Sequence, residues 1–117
     1  MNDKWFEQLY EVQKNIQRKL KNLDENQSLF NEVDMYAAAT GAMVEIGEML
    51  QCDTRWKEKT TGSKKEPVVN KQEFIKEWAD VLIYLVNVLI YADVDVRDAE
   101  LIVNKKQFEN MKRFNLL

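Results

Sequence analysis

The sequence predicts an all-α domain, and three observations lead there. Gly occurs only three times and Pro once in 117 residues, too few turn-formers for a protein of many short strands. Apolar residues recur over long stretches at spacings of three and four, the period of a helix face rather than the alternation of a strand. Hydrophobic residues make up 45% of the chain and charged residues 32%, the balance of one soluble globular domain. A single bundle-like domain of four to five helices over residues 1–117, oligomerising through helix packing, accommodates all three.

The first helix is expected from about Asp3 to Leu23. Trp5/Phe6, Leu9/Tyr10, Ile16, Leu20 and Leu23 approximate an apolar stripe, with Lys, Gln and Asn facing water. The run DENQS breaks it, and Ser28 is the expected N-cap of a second helix that carries Asn31 and Glu32 in its first turn and reaches about Trp56. Residues 57–71, KEKTTGSKKEPVVNK, lose helical periodicity and read as a long loop. It is locally basic, with Lys57, Lys59, Lys64, Lys65 and Lys71 against Glu58 and Glu66. The third helix, about Lys71 to Ala92, is apolar nearly all round through Phe74, Ile75, Trp78, Val81, Leu82, Leu85, Val86, Leu89 and Ile90. Such a helix is expected to be central, contacted on several sides. DVDVRD ends it, and a fourth helix runs from about Val96 to Arg113, packing through Ala99, Ile102, Val103, Phe108 and Met111.

Composition excludes several chemistries. Net charge is −3, so no whole-chain positive field draws in a nucleic-acid polymer. No apolar run approaches the ~20 residues that cross a bilayer. The N-terminus lacks the basic start and apolar block of a secretory signal, and residence in the cytoplasm is the expectation. The chain has no His and one Cys, which rules out a His-based general base or triad, a Cys/His zinc site and an intramolecular disulfide within it. Gly only at positions 41, 47 and 62 allows neither a P-loop nor a dinucleotide fingerprint. A phosphorylated ligand would have to be handled by carboxylates, lysines and a metal.

Carboxylates are indeed arranged for it. Glu45 and Glu48 lie three apart on the second helix, directly after the small residues of YAAATGAM, and Glu77 and Asp80 lie three apart on the third. Each pair projects its oxygens from one helix face. On the otherwise apolar third helix, Glu73, Glu77, Asp80, Tyr84 and Asn87 continue one polar stripe; on the second, Gly41, Glu45, Glu48, Cys52 and Arg55 form the matching face. Small side chains permit close helix approach and would bring the acids together. Converging carboxylates cannot all stay ionised without compensation. A hard divalent cation, Mg²⁺ or in its place Mn²⁺, supplies it. The alternative is that each Glu pair is simply a solvated helix face.

At these residues the sequence resembles the MazG-like and dimeric dUTPase superfamily of all-α nucleoside triphosphate pyrophosphohydrolases. The ExxE motif corresponds to EIGE at 45–48 and the ExxD motif to EWAD at 77–80. Near the C-terminus, KKQFENMKRF places Lys106, Asn110 and Arg113 in a Lys-xxx-Asn-xx-Arg pattern for triphosphate contacts, and TRWK at 54–57 is similar to the aromatic and basic segment of dUTPase-like members. The resemblance implies Mg²⁺ held by Glu45, Glu48, Glu77 and Asp80, hydrolysis of a (d)NTP to (d)NMP and pyrophosphate, and a homodimer or homotetramer. It also implies phosphate contacts from Lys106, Asn110 and Arg113, with Lys57 of the basic segment beside them; Glu48, nearer the loop, is the choice for general base, and Trp56, at a helix end beside the lysine-rich loop, is open between core packing and stacking on a base. Asn87 is open between metal ligand, base reader and satisfied core amide, and Trp78 is expected in the core. The competing reading is a non-catalytic helical interaction module whose acidic stripes pair with lysines of a partner.

Overall fold

Side-chain caps decide where three of the four long helices begin. In the computed structural model, which describes residues 4–117, five helices follow one another: α1 (Trp5–Lys21), α2 (Glu32–Gln51), α3 (Trp56–Thr61), α4 (Lys71–Tyr91) and α5 (Val96–Arg113). Asn31 Oδ1 accepts from the Asp34 N–H at 3.0 Å to start α2, and Asn70 Oδ1 accepts from the Glu73 N–H at 3.1 Å to start α4. Asp95 Oδ1 accepts from the Arg97 N–H at 2.8 Å to start α5. Each acceptor satisfies a backbone donor that a helix start leaves without an intrahelical partner. The fold is all-α; among the described residues the only β-type pairing is one isolated bridge, Asp53 with Val69.

Two boundaries differ from expectation. Ser28 does not cap α2: its Oγ accepts from the Phe30 N–H in a local turn, and the next residue, Leu29, is buried among Tyr10, Val86, Ile90, Tyr91 and Val96. Sinking Leu29 into this core delays the helix until Asn31, whose N–H donates to the Tyr91 carbonyl. At the other end, α2 stops at Gln51 rather than near Trp56. The Asn70 N–H donates to Cys52 O and the Thr54 N–H to Val68 O, both at 2.8 Å. These bonds tie residues 52–54 to residues 68–70 where α2 ends, and so clamp the segment between them. Within that clamp the expected loop forms α3, which closes on Gly62 in the left-handed region, φ 69°.

α2 and α4 pack antiparallel along their length and make the most extensive interface between helices. Ala38 and Ala42 are buried there, and Gly41 sits so close to α4 that a Cβ would lie 2.6 Å from the Tyr84 ring. α1 packs on α4, with the Tyr10 hydroxyl donating to Val94 O at 2.9 Å. α4 is therefore central, as expected, but not covered all round: Ile75, Trp78 and Leu85 are exposed. Trp78, expected in the core, is 51% exposed because its face of α4 meets neither α1 nor α2. The expected α1 stripe is met in part: Tyr10 is in the core and Phe6, Leu9 and Leu23 pack against it, with Gln13 buried beside them, while Trp5, Ile16 and Leu20 are exposed. α5 meets mainly the start of α1, and every residue from Leu101 to Leu117 is exposed.

The Gly41–Tyr84 approach gives a direct test. Gly41→Ala must displace the Tyr84 ring, and an overpacked helix contact of this kind costs about 1–3 kcal/mol. Urea unfolding of the two proteins should show that loss. A variant as stable as the parent would mean that α2 and α4 do not approach as closely as described.

Candidate metal centre and adjoining pocket

The close α2–α4 approach carries the acids with it. One turn beyond Gly41 on α2 stands Glu45, and one turn before Tyr84 on α4 stands Asp80, with Glu77 a turn further. Glu45, Glu48 and Glu77 each offer a carboxylate oxygen within 4.8 Å of the others. Glu45 and Glu77 are half-buried and Glu48 is exposed. One oxygen each of Glu45 and Glu77, both Oε2, is buried with no hydrogen-bond partner. No Lys or Arg forms an ion pair with any of the three among the described residues.

Such a group is electrostatically uncomfortable in its ionised form. The hydrogen bond that a protonated Glu45 makes with Glu77, loss of solvation, and the negative charges of Glu48 and Glu77 together push the Glu45 carboxyl up to about 7 from an ordinary 4.5. A hard divalent cation fits this donor set: three carboxylate oxygens within 4.8 Å of one another, with Oε2 of Glu45 and of Glu77 unpartnered when both groups are ionised. Asp80 is not one of the three. It is exposed and lines the adjoining cavity together with Glu45.

That cavity, about 670 Å³, lies among α1, α2 and α4. Its α2 side presents Ala37 and Ala38 between two acids, Asp34 and Glu45; its α4 side presents Asp80, Ile83, Tyr84, Asn87 and Tyr91; its α1 side presents Gln13 and Gln17. Asn87 is only 9% exposed, and its Oδ1 is buried without a partner. An amide oxygen with no protein partner beside a polar cavity is an acceptor offered to water or to a ligand. Around the rim the groups are fixed. The Tyr91 hydroxyl donates to Gln17 Oε1, which leaves the Gln17 amino group as its free donor. Lys21 forms an ion pair with Asp34, tying the end of α1 to the start of α2.

Comparison of the chain with protein families, with characterised proteins and with solved structures finds no match.

The other expected residues are distributed differently. Trp56 lies at the start of α3, its Nε1–H donating to Leu50 O at 2.7 Å, and lines a separate, smaller cavity with Asp53, Arg55, Lys59 and Phe74. Lys57 lies over its ring, 5.6 Å from the centroid. Phe74 and Asn87 are 13 positions apart on α4, about 20 Å at the helical rise, so Trp56 and Asn87 do not share a cavity. Lys106, Asn110 and Arg113 are on the exposed part of α5, with Arg113 donating to Asn110 Oδ1 at 3.0 Å. Within one chain they are not assembled around the acids.

Gln13 and Gln17 were expected to face water; Gln13 is instead 8% exposed and Gln17 half-buried. The available signal was the spacing of Tyr10, Gln13 and Gln17, which share a helix face. The neighbouring greasy stripe of Val12, Ile16 and Leu20 hid it.

The raised Glu45 value sets a pH dependence. Protonated Glu45 is favoured in the folded state, so its stabilisation is full below about 4.5 and lost as pH rises through about 7. For chelator-treated protein, this group should lower the thermal midpoint from about pH 5 to about pH 8, and Glu45→Gln should flatten that fall. Identical pH profiles for the two proteins would remove the carboxylate crowding on which this reading of the site rests.

Proposed function

We propose that the protein is a Mg²⁺-dependent nucleoside triphosphate pyrophosphohydrolase, converting a (d)NTP and water to a (d)NMP and pyrophosphate. The observation that carries the reading is a three-carboxylate group with unsatisfied buried oxygens beside a cavity holding an unsatisfied buried amide. An acidic metal centre alone suits many reactions. An acidic centre adjoining a pocket of amides and aromatic rings suits a phosphorylated ligand that ends in a hydrogen-bonding ring. The ExxE and ExxD spacing of MazG-like and dUTPase-like enzymes supports the same reading.

Glu45, Glu48 and Glu77 would hold the cation, with Asp80 adjacent. When bound, it neutralises phosphate charge and makes water more acidic. Glu48, the exposed member, would hold a water molecule and accept its proton as it attacks phosphorus. Asn87 and Gln17 orient the base edge through amide hydrogen bonds, and the small α2 wall of Ala37 and Ala38 admits a flat ring. Trp56 and Lys57, outside this cavity, would meet only the far rim of a bound nucleotide.

The competing reading is an interaction module in which the acidic face meets a partner's lysines. It accounts for the exposed carboxylates, but gives no role to the buried Asn87 amide that lines the cavity.

A panel of dNTPs and NTPs assayed for pyrophosphate release with millimolar Mg²⁺ separates the two. Turnover of at least one substrate is expected, abolished by chelation. Glu48→Gln should lower kcat by about 10²–10⁴-fold while leaving the melting transition in place. Absence of pyrophosphate from the whole panel would refute the enzymatic reading, and an unaffected rate in Glu48→Gln would refute its role.

A further inference from the structure

The end of the cavity far from the carboxylates is built around Tyr91. This residue is 5% exposed, and each of its parts is engaged by a different neighbour. The Lys21 ammonium lies over the ring, 5.5 Å from its centroid, and is itself ion-paired with Asp34 of α2. The Tyr91 carbonyl accepts from the Asn31 N–H at 3.0 Å. Its hydroxyl donates to Gln17 Oε1 of α1. Burial pushes that hydroxyl above its ordinary pKa of 10, so at neutral pH it keeps its hydrogen and acts as a donor.

A primary amide has two sides, an oxygen that accepts and an amino group that donates. Turning the Gln17 amide over would aim its amino group at Tyr91 and strip the buried hydroxyl hydrogen of the acceptor it has, which is penalised. The amide is thereby held one way round, its oxygen on Tyr91 and its amino group left for the cavity that Gln17 lines. Asn87 offers the opposite polarity there, since its buried, unpartnered atom is the acceptor Oδ1.

The order of these two groups along the cavity then matters. On α4, Asn87 stands seven positions from Asp80 and Tyr91 stands eleven, about 10 and about 16 Å along the axis. A nucleotide with its phosphates at the acids points its ring toward Tyr91, so the ring meets the Asn87 acceptor first and the Gln17 donor beyond it. The complementary edge carries a ring N–H for Asn87 and, farther from the sugar, an exocyclic oxygen for Gln17. Lactam bases such as uracil and hypoxanthine have that order. Cytosine and adenine put an amino group in place of the oxygen and a bare nitrogen in place of the N–H, which sets donor against donor and acceptor against acceptor.

We propose that Tyr91 is a positioning residue: by fixing the Gln17 amide, it makes the site select a lactam ring over its amino counterpart. The nucleotide rests on the pyrophosphohydrolase reading; the hold of Tyr91 on Gln17 does not.

Two measurements on the full chain test this. In ¹⁵N spectra, the Gln17 side-chain amide, assigned by its loss in Gln17→Glu, should move toward the position of a solvent-exposed glutamine in Tyr91→Phe, which keeps the ring and its packing. No change at Gln17 overturns the positioning role. The second measurement is titration calorimetry with the α,β-imido analogues of dUTP, dCTP, dITP and dATP at millimolar Mg²⁺. The parent should prefer the lactam member of each pair by about tenfold or more, because the other member leaves buried polar groups unpaired. Tyr91→Phe should reduce that preference to about threefold or less. Gln17→Glu, which has no donor to offer, should lose it as well and replaces Tyr91→Phe if that variant does not fold. A merely structural loss weakens both members of a pair alike; an unchanged ratio in the variants, or a parent preference for cytosine or adenine, overturns the proposal. If Gln17 is held as described and no analogue binds, the nucleotide reading is refuted and the selection with it, whereas binding without preference refutes the selection alone.

Discussion

The approach of α2 to α4 at Gly41 and Tyr84 is the constraint on which the rest of the molecule depends. A side chain larger than hydrogen at position 41 would meet the tyrosine ring at 2.6 Å, so the spacing of the two helices is set by the absence of a Cβ. Glu45 stands one turn from Gly41, and Glu77 two turns from Tyr84. Holding the backbones close at the first pair therefore holds the carboxylates close at the second. The same antiparallel alignment lays Ala37 and Ala38 opposite Tyr84, Asn87 and Tyr91, and with α1 across the open side it produces the cavity. The carboxylate group and the cavity, on which the proposed function rests, are two consequences of one helix pairing.

The free-energy conflict at the acids is what makes this pairing informative. Apolar contact draws α2 and α4 together, while like charges and buried unpaired oxygens push Glu45 and Glu77 apart. A chain selected only for stability would place Gln or Ala at one of these positions. Keeping the carboxylates costs stability unless a cation or a partner's cations are present. Asn87 repeats the pattern in neutral form, a buried amide left with an unmet acceptor.

How far this was legible from the sequence varied by element. The periodicity of apolar residues located α4 and α5 almost to the residue, because both begin at a side-chain cap, Asn70 and Asp95, and end where periodicity ends. The α2 start was missed because Ser28, a good cap by residue type, is overruled by burial of Leu29, a tertiary contact invisible to local pattern. The α2 end and α3 were missed for a similar reason: the clamp between residues 52–54 and 68–70 is made by backbone bonds across a distance in sequence. The pairs Glu45/Glu48 and Glu77/Asp80 were visible from spacing, and the structure groups three of the four. Gln13 and Gln17 were not visible, since a glutamine beside an apolar stripe reads as solvent-facing. Lys106, Asn110 and Arg113 were visible as a pattern, but their separation from the acids could come only from the course of α5.

Binding of Mn²⁺ to the α2–α4 carboxylates, followed by electron paramagnetic resonance, tests the central claim most directly. The free-ion signal reports bound metal without reference to any substrate. Saturable loss of that signal is expected with the parent protein, and little or none with Glu77→Gln, which removes one of the two half-buried ligands while keeping its size. Equal loss in the two proteins, or no saturable loss in either, would contradict a metal centre at Glu45, Glu48 and Glu77.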